Sequence, residues 1–315
     1  MKNRKIGSWN VPGMGLGCMP MSGMPHARLS ILDDRPGAIA VIHAALDVGV
    51  RLLDTADIYA AYWDQFGHNE LLVAEAVRSW SGSAQQKKEI LIATKGGITR
   101  GPGESWGRAA SVDYLLRAAE ASALRLGVEQ IDLWQHHRLD PSIPFETQFE
   151  NVLVLKERGL VKEIGVSNYN AKQLTIALEI AGKGGIASVQ NERSPKYLRD
   201  SDVLKVCEAN GVAYLPWSPL GGVGSDTASR EFNTVILDIA KSKSVSAFAL
   251  VIAWHLHTSP TIIPIPGATK MSSVQDSFSG LDIVLSADEM SQINASLKGD
   301  PGIPPDLFAQ PLYRN

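Results

Sequence analysis

The sequence predicts an α/β fold in a single domain over residues 1–315: a closed (β/α)8 TIM barrel with an extra C-terminal helix and long loops at its C-terminal rim. Three observations predict it. Short β-branched or leucine-rich runs alternate with longer amphipathic stretches eight times, with no linker or composition break. An open doubly wound sheet would place a GxGxxG between its first strand and first helix, whereas here Gly13, Gly15 and Gly17 alternate and no helix follows at once. Finally, 315 residues, 44% hydrophobic with only 2 Cys, can bury roughly three quarters of the unfolded surface without a disulfide or metal staple.

Strands are expected at 14–17, 50–54, 89–95, 131–137, 161–165, 186–190, 212–216 and 261–264. Helices are expected at roughly 35–48, 69–80, 111–126, 145–158, 170–181, 199–209, 231–257 in two pieces, and 272–278. Ser111 can cap a helix whose Leu115, Leu116, Ala119, Ala123 and Leu126 recur at helical spacing, and Gly127 sits where a left-handed terminator belongs. Ser286 followed by Glu289 reads as a capping box for the additional C-terminal helix. The long connections are 60–67, 96–108, 219–230 and the tail 299–315. The first three would project from the C-terminal rim, where barrels keep their chemistry.

Composition narrows the partners. Thirty Lys plus Arg against 33 Asp plus Glu gives a net charge of −3, which offers no basic face for nucleic acid. The longest apolar run, residues 247–254, is far shorter than the ~20 residues that cross a bilayer. Lys2, Arg4 and Lys5 are followed by no apolar core of a secretory signal. Cys18 and Cys207, far apart and outside any CxxC, suit a reducing cytoplasm and read as small packed thiols. No heptad or surface stripe argues for assembly, so a monomer or weak homo-oligomer is expected.

Strands two, three and four end on Asp54, Lys95 and His137, and neighbouring strands of a barrel bring their last residues to one edge of the mouth. Tyr59 lies five residues past Asp54, close enough to fold back over the same spot. Each residue alone has an ordinary structural role; their convergence under one topology points to a site. Pleating puts His137 on one face with Gln135, Leu133 and Ile131, and His136 on the other with Trp134 and Asp132. Adjacent strand histidines cannot readily share an ion, so no metal site is expected. A metal-assisted hydrolase using Asp54 and His137 remains a competing reading, separable by metal content.

These residues belong to a longer series. Gly15-Leu16-Gly17, Asp54-Thr55-Ala56-Asp57-Ile58-Tyr59, Thr94-Lys95, His137-Arg138-Leu139-Asp140, Gly165-Val166-Ser167-Asn168, Val189-Gln190-Asn191, Trp217-Ser218-Pro219-Leu220-Gly221 and Ile265-Pro266-Gly267-Ala268 follow in order. Over nearly the whole chain the sequence resembles the aldo-keto reductases. That resemblance implies carbonyl reduction by hydride from a nicotinamide cofactor, without metal or flavin. It assigns proton donation to Tyr59, with Lys95 and Asp54 behind it and His137 beside it. A free phenol has a pKa near ~10, and an ammonium close by is expected to lower it.

The resemblance also implies the cofactor contacts. Ser167, Asn168 and Gln190 match the trio that hydrogen-bonds the carboxamide, and Trp217 the aromatic that stacks on the nicotinamide. Ser218 and Leu220 would touch the pyrophosphate, and Gly17, Cys18, Met19, Pro266 and Gly267 complete the cofactor-binding set. Residues 267–277 resemble the element that grips the adenosine 2′-phosphate, but Ser273 stands where many members carry Arg and Ser277 where many carry Asn. Lys270 is the remaining cation, and Asp276 lies between. NADP is expected, with NAD the other candidate.

Tyr62, Trp63, Trp106 and Phe308 are expected to wall the pocket, which suits a small aldehyde, ketone or sugar. No loop sequence contains paired arginines, although Arg100 and Arg108 flank Trp106. A second reading is a nicotinamide-binding, redox-sensing regulatory subunit with low turnover.

Overall fold

A computed structural model describes residues 3–22, 34–198, 201–221 and 232–297. A hairpin of β1 (Arg4–Ile6) and β2 (Trp9–Val11) precedes β3 (Leu16–Gly17). The chain continues through α1 (Arg35–Asp47), β4 (Leu52–Asp54), α2 (His68–Ser79), α3 (Ala84–Lys88) and β5 (Leu91–Gly96). A second hairpin, β6 (Ile98–Gly101) with β7 (Ser105–Arg108), leads to α4 (Val112–Leu126) and β8 (Ile131–His136). Then come α5 (Phe145–Glu157), β9 (Val161–Ser167), α6 (Ala171–Ala181), β10 (Ser188–Gln190), α7 (Ser201–Asn210) and β11 (Ala213–Tyr214). Four helices follow: α8 (Thr234–Ser242), α9 (Ala247–Thr258), α10 (Met271–Ser279) and α11 (Ala287–Ser296).

Seven strands form one parallel sheet in the order β11-β10-β9-β8-β5-β4-β3. The expected eighth strand closes it without becoming a regular ladder. On one side Tyr214 N donates to Thr261 O (2.9 Å) and Ile263 N to Tyr214 O (2.8 Å). On the other, Gly15 N donates to Pro264 O and Gly17 N to Pro266 O, both at 3.0 Å. Pro264 and Pro266 have no N–H to give back, so pairing is reduced to single bridges. At this seam a Cβ on Gly17 would stand 2.9 Å from Ile265 O, which explains a glycine there.

Leu52, Leu91, Ala93, Leu133, Ala187, Ala213, Leu215, Ile263 and Ile265 fill the barrel, and Ile6 and Val11 of the first hairpin pack against them. That hairpin was not anticipated from the sequence. Arg4 fastens it by donating to the carbonyls of Leu256 (2.6 Å), Ser259 (2.5 Å) and Ile262 (2.6 Å). The alternate strand residues face the helix layer: Leu53 packs with α1 and α9, Trp134 with α4 and α5, Tyr214 with α6 and α7.

The bounds of the expected helices agree to within about three residues, and the short α3 was not anticipated. Gly127 ends α4 at φ 72° and ψ 37°, and the Ser286–Glu289 capping box opens α11. Ser111 precedes α4, but its side chain makes no capping bond. The stretch 96–108 was expected as a loop and is instead the β6–β7 hairpin. Phe308, the tail 299–315 and residues 222–230 of the third long connection lie outside the described residues. Among those described, no helix is long and apolar enough to cross a membrane. Cys18 and Cys207 are buried thiols.

Candidate active site

Strand register sets the site. In the parallel ladder Asp54 stands opposite Ala93, Lys95 opposite Gln135 and Gly96 opposite His136. The Asp54, Lys95 and His137 side chains therefore emerge together at the strand ends. Tyr59 is returned to them by a short turn in which Tyr59 N donates to Ala56 O (3.3 Å) and Asn69 N to Tyr59 O (3.2 Å). Asn69 braces the turn further by accepting from Thr55 Oγ1 (2.7 Å) and donating to Cys18 O (2.8 Å).

Lys95 is the hub. Its Nζ donates to Asp54 Oδ2 at 2.7 Å, Thr55 O at 2.8 Å and Tyr59 Oη at 3.0 Å, which uses all three ammonium protons. The lysine is fully buried and Asp54 is 3% exposed. Asp54 Oδ1 is satisfied separately, by Gln190 Nε2 at 2.7 Å and Gln135 Nε2 at 3.3 Å. Gln135 Oε1 in turn accepts from Ser188 Oγ (3.3 Å) and Gln190 Nε2 (3.4 Å). The His137 ring meets the Tyr59 ring edge-on, with centroids 5.9 Å apart.

Burial governs the titration of these groups. It pushes the Tyr59 phenol above its ordinary value, and the nearby Lys95 ammonium only partly opposes that rise. The sequence-based expectation of a lowered phenol is thus corrected: the desolvation of a buried phenolate outweighs one ammonium that Asp54 already neutralises. Burial also pulls Lys95 down, but Asp54 and Tyr59 together overcome it and hold the ammonium above its ordinary value. His137 is driven well below the usual imidazole range by burial, then by Lys95, Arg138, Arg108 and His136. It is therefore held in its neutral form at physiological pH.

His136 faces the other way, as pleating requires, and shares a hydrogen bond of 2.9 Å with Tyr169 Oη. Burial lowers it to about 4, and lowers His255, bonded to Pro219 O at 3.0 Å, to about 3. Both are charged in the unfolded chain below pH 6.5 and neutral in the folded one, so the unfolded state binds more protons there. Stability should fall as pH drops from 6.5 towards these folded values, by about 1.4 kcal/mol per pH unit for each histidine. Urea titrations over pH 4–7 would measure the slope, and a flat profile would contradict neutral burial of both.

The structure gathers some of the expected cofactor residues and not others. Ser167 Oγ donates to Gln190 O (2.9 Å), Asn168 Nδ2 to Ser167 Oγ (2.7 Å), and Trp217 Nε1 to Asn168 Oδ1 (3.2 Å), so these four share one patch of the rim. Asn168 (φ 61°) and Ser218 (φ 48°) are held in the left-handed region although neither is glycine. Cys18 N donates to Asp54 O at 2.8 Å, which puts Gly17, Cys18 and Met19 beside the Asp54–Lys95 pair. Leu220 is buried, and Gly267 lies at the closing seam after Pro266. Lys270 and Ser273 are exposed at the start of α10. Asp276 accepts from Ser246 Oγ (2.7 Å) at the head of α9, and Ser277 is buried. Tyr62 and Trp63 are exposed aromatics at 48% and 39%, and Trp106 lies under the Arg100 guanidinium at 4.8 Å. Sequence reasoning missed Gln135 and Ser188, although pleating had already put Gln135 on the face of His137.

A parallel barrel with a phenol, an ammonium, a carboxylate and a neutral imidazole at its C-terminal mouth is the arrangement of a barrel oxidoreductase. The family model described as "Aldo/keto reductase family" matches residues 30–298. An uncharacterized oxidoreductase of Schizosaccharomyces pombe is 30% identical over 300 residues, covering 94% of this chain and 90% of the relative. A second protein of that yeast, the aldo-keto reductase yakc [NADP(+)], is 29% identical over 92% of this chain and 89% of its own. Among solved structures, an aldo-keto reductase from Klebsiella pneumoniae in complex with NADPH superposes with a TM-score of 0.75 at 24% identity, covering 96% of this chain and 98% of that one. The chain belongs to the aldo/keto reductase family and is an NAD(P)H-dependent oxidoreductase.

Proposed function

We propose that this protein reduces the carbonyl of a small aldehyde, ketone or sugar with NADPH, in a reducing cytoplasm, and that Tyr59 donates the proton. The observation that carries the reading is the buried Lys95 Nζ, bonded at once to Asp54 Oδ2 and Tyr59 Oη. The relative named for NADP(+) and the Klebsiella structure with NADPH support the choice of cofactor. When bound, the reduced nicotinamide supplies a hydride to the carbonyl carbon.

The chain's own residues do the rest. Tyr59 Oη holds its proton up to high pH because burial disfavours the phenolate. The Lys95 ammonium stands 3.0 Å away to stabilise the phenolate as the proton leaves. His137, neutral, can donate a hydrogen bond to the carbonyl oxygen as negative charge develops on it, without adding a proton of its own. Ser167, Asn168 and Gln190 would hold the carboxamide, and the half-buried Trp217 indole would lie against the nicotinamide. The left-handed Asn168 and Ser218 fit that assignment, since such strain persists where a site demands a fixed backbone. Lys270 and Ser273, at the head of α10, would face the 2′-phosphate.

Following NADPH and then NADH consumption against aldehydes, aromatic ketones and aldoses tests the reading directly. No turnover with any of them would overturn it. Ser273→Arg adds a forked cation at the head of α10 and is expected to tighten NADPH by roughly ten-fold or more with little change for NADH. Equal effects on the two would place Ser273 away from the phosphate.

A further inference from the structure

Two arginines stand at the mouth of the barrel, and the proton-donating group uses neither. Arg138 follows His137 directly at the end of β8, and Arg108 is the last residue of β7. Thirty positions separate them in sequence, but their chain segments meet on consecutive carbonyls, His137 N donating to Gly96 O (2.9 Å) and Ala109 N to Gly97 O (3.0 Å), so no single loop revealed the pair.

Their partners are few. Arg138 Nε is buried without a hydrogen-bond partner, and among the described residues Arg138 makes no ion pair. Arg108 spends its one side-chain hydrogen bond on the carbonyl of its neighbour Gly107, at 2.8 Å. Three other arginines have carboxylate partners: Arg100 with Glu104 at 2.6 Å, Arg125 with Glu70 at 2.5 Å, and Arg35 with Glu75. Two carboxylates lie within electrostatic reach, Asp140 of Arg108 and Glu192 of Arg138. Asp140 is committed elsewhere, accepting from Ser142 N and Oγ (2.9 and 2.6 Å) and from Ala110 N (3.2 Å).

The two guanidiniums are felt at the reacting groups. Burial and then Arg108 pull Arg138 down to about 10, Tyr59 is coupled to Arg138, and both arginines help hold His137 neutral. A buried, unpartnered guanidinium N–H on Arg138, with the like charge of Arg108 near enough to oppose its own, is unfavourable until an anion joins them.

We propose that Arg138 and Arg108 together receive an anionic group, carboxylate or phosphate, carried by the carbonyl substrate, so that the enzyme selects aldehydes or ketones bearing one. This rests on the carbonyl-reductase reading above and names its substrate class. A guanidinium fork presents paired donors to either anion.

The test compares matched substrates with NADPH: succinic semialdehyde against butanal, and glyceraldehyde 3-phosphate against glyceraldehyde. The anionic member is expected to show a kcat/KM higher by roughly ten-fold or more, mainly through KM. A preference in only one pair identifies the anion as carboxylate or as phosphate. In Arg138→Gln and in Arg108→Gln the ratio should collapse towards one, and Arg138→Lys should restore part of it. In the cofactor-free protein, succinate or inorganic phosphate should raise the melting temperature of wild type more than that of Arg138→Gln. Ratios at or below one in wild type, or ratios unchanged in both variants, overturn the proposal. If no carbonyl consumes NADPH at all, the parent reading fails instead, and the melting experiment still reports on the anion.

Discussion

Tyr59→Phe is expected to lower kcat by ~10²- to 10⁴-fold, the usual worth of a positioned proton donor, while the barrel stays folded. The substitution removes one oxygen and nothing else. Lys95 Nζ loses its 3.0 Å acceptor but keeps Asp54 Oδ2 and Thr55 O, so the stability cost should be only about 1 kcal/mol. The ring still packs with Ala56, Ile58 and Ile98. Turnover measured beside a thermal melt separates the two effects. A variant that melts like wild type and turns over like wild type would remove Tyr59 from its assigned role.

Lys95→Met should be worse on both counts. It leaves Asp54, 3% exposed, as a buried carboxylate held only by the amides of Gln190 and Gln135. Breaking a buried pair by deleting one member typically costs about 3–5 kcal/mol. It also removes the charge that opposes the burial of Tyr59, so the phenol becomes a still weaker acid and turnover falls with it. Adding Asp54→Asn to Lys95→Met should recover much of the stability and none of the activity. If the single variant melts at the wild-type temperature, the Asp54–Lys95 pair is not the buried charge pair described above.

Strand ends are the reason so much of this site could be read from sequence. In a parallel barrel the last residue of each strand has one destination, so Asp54, Lys95 and His137 meet whatever the loops do. An eighth strand was expected at 261–264; the segment does close the sheet, but its prolines reduce it to single bridges and it forms no strand. The hairpins β1–β2 and β6–β7 escaped because their strands of three or four residues are too short to show a period. The direction of the Tyr59 shift was misjudged for a different reason: a neighbour can be inferred from a motif, whereas the depth of burial is a property of the whole fold. The bond of Asp276 to Ser246 was not legible either, because it depends on how α9 and α10 pack. Arg108 and Arg138 were legible singly and invisible as a pair.

Gln190 touches two neighbourhoods at once. Its Nε2 rests on Asp54 Oδ1 at 2.7 Å, and its backbone oxygen accepts from Ser167 Oγ at 2.9 Å. Replacing Gln190 by a residue without an amide would leave the carboxylate to Gln135 and Lys95 alone. A change at this one side chain is therefore expected to reach the Asp54–Lys95 pair and, through it, Tyr59.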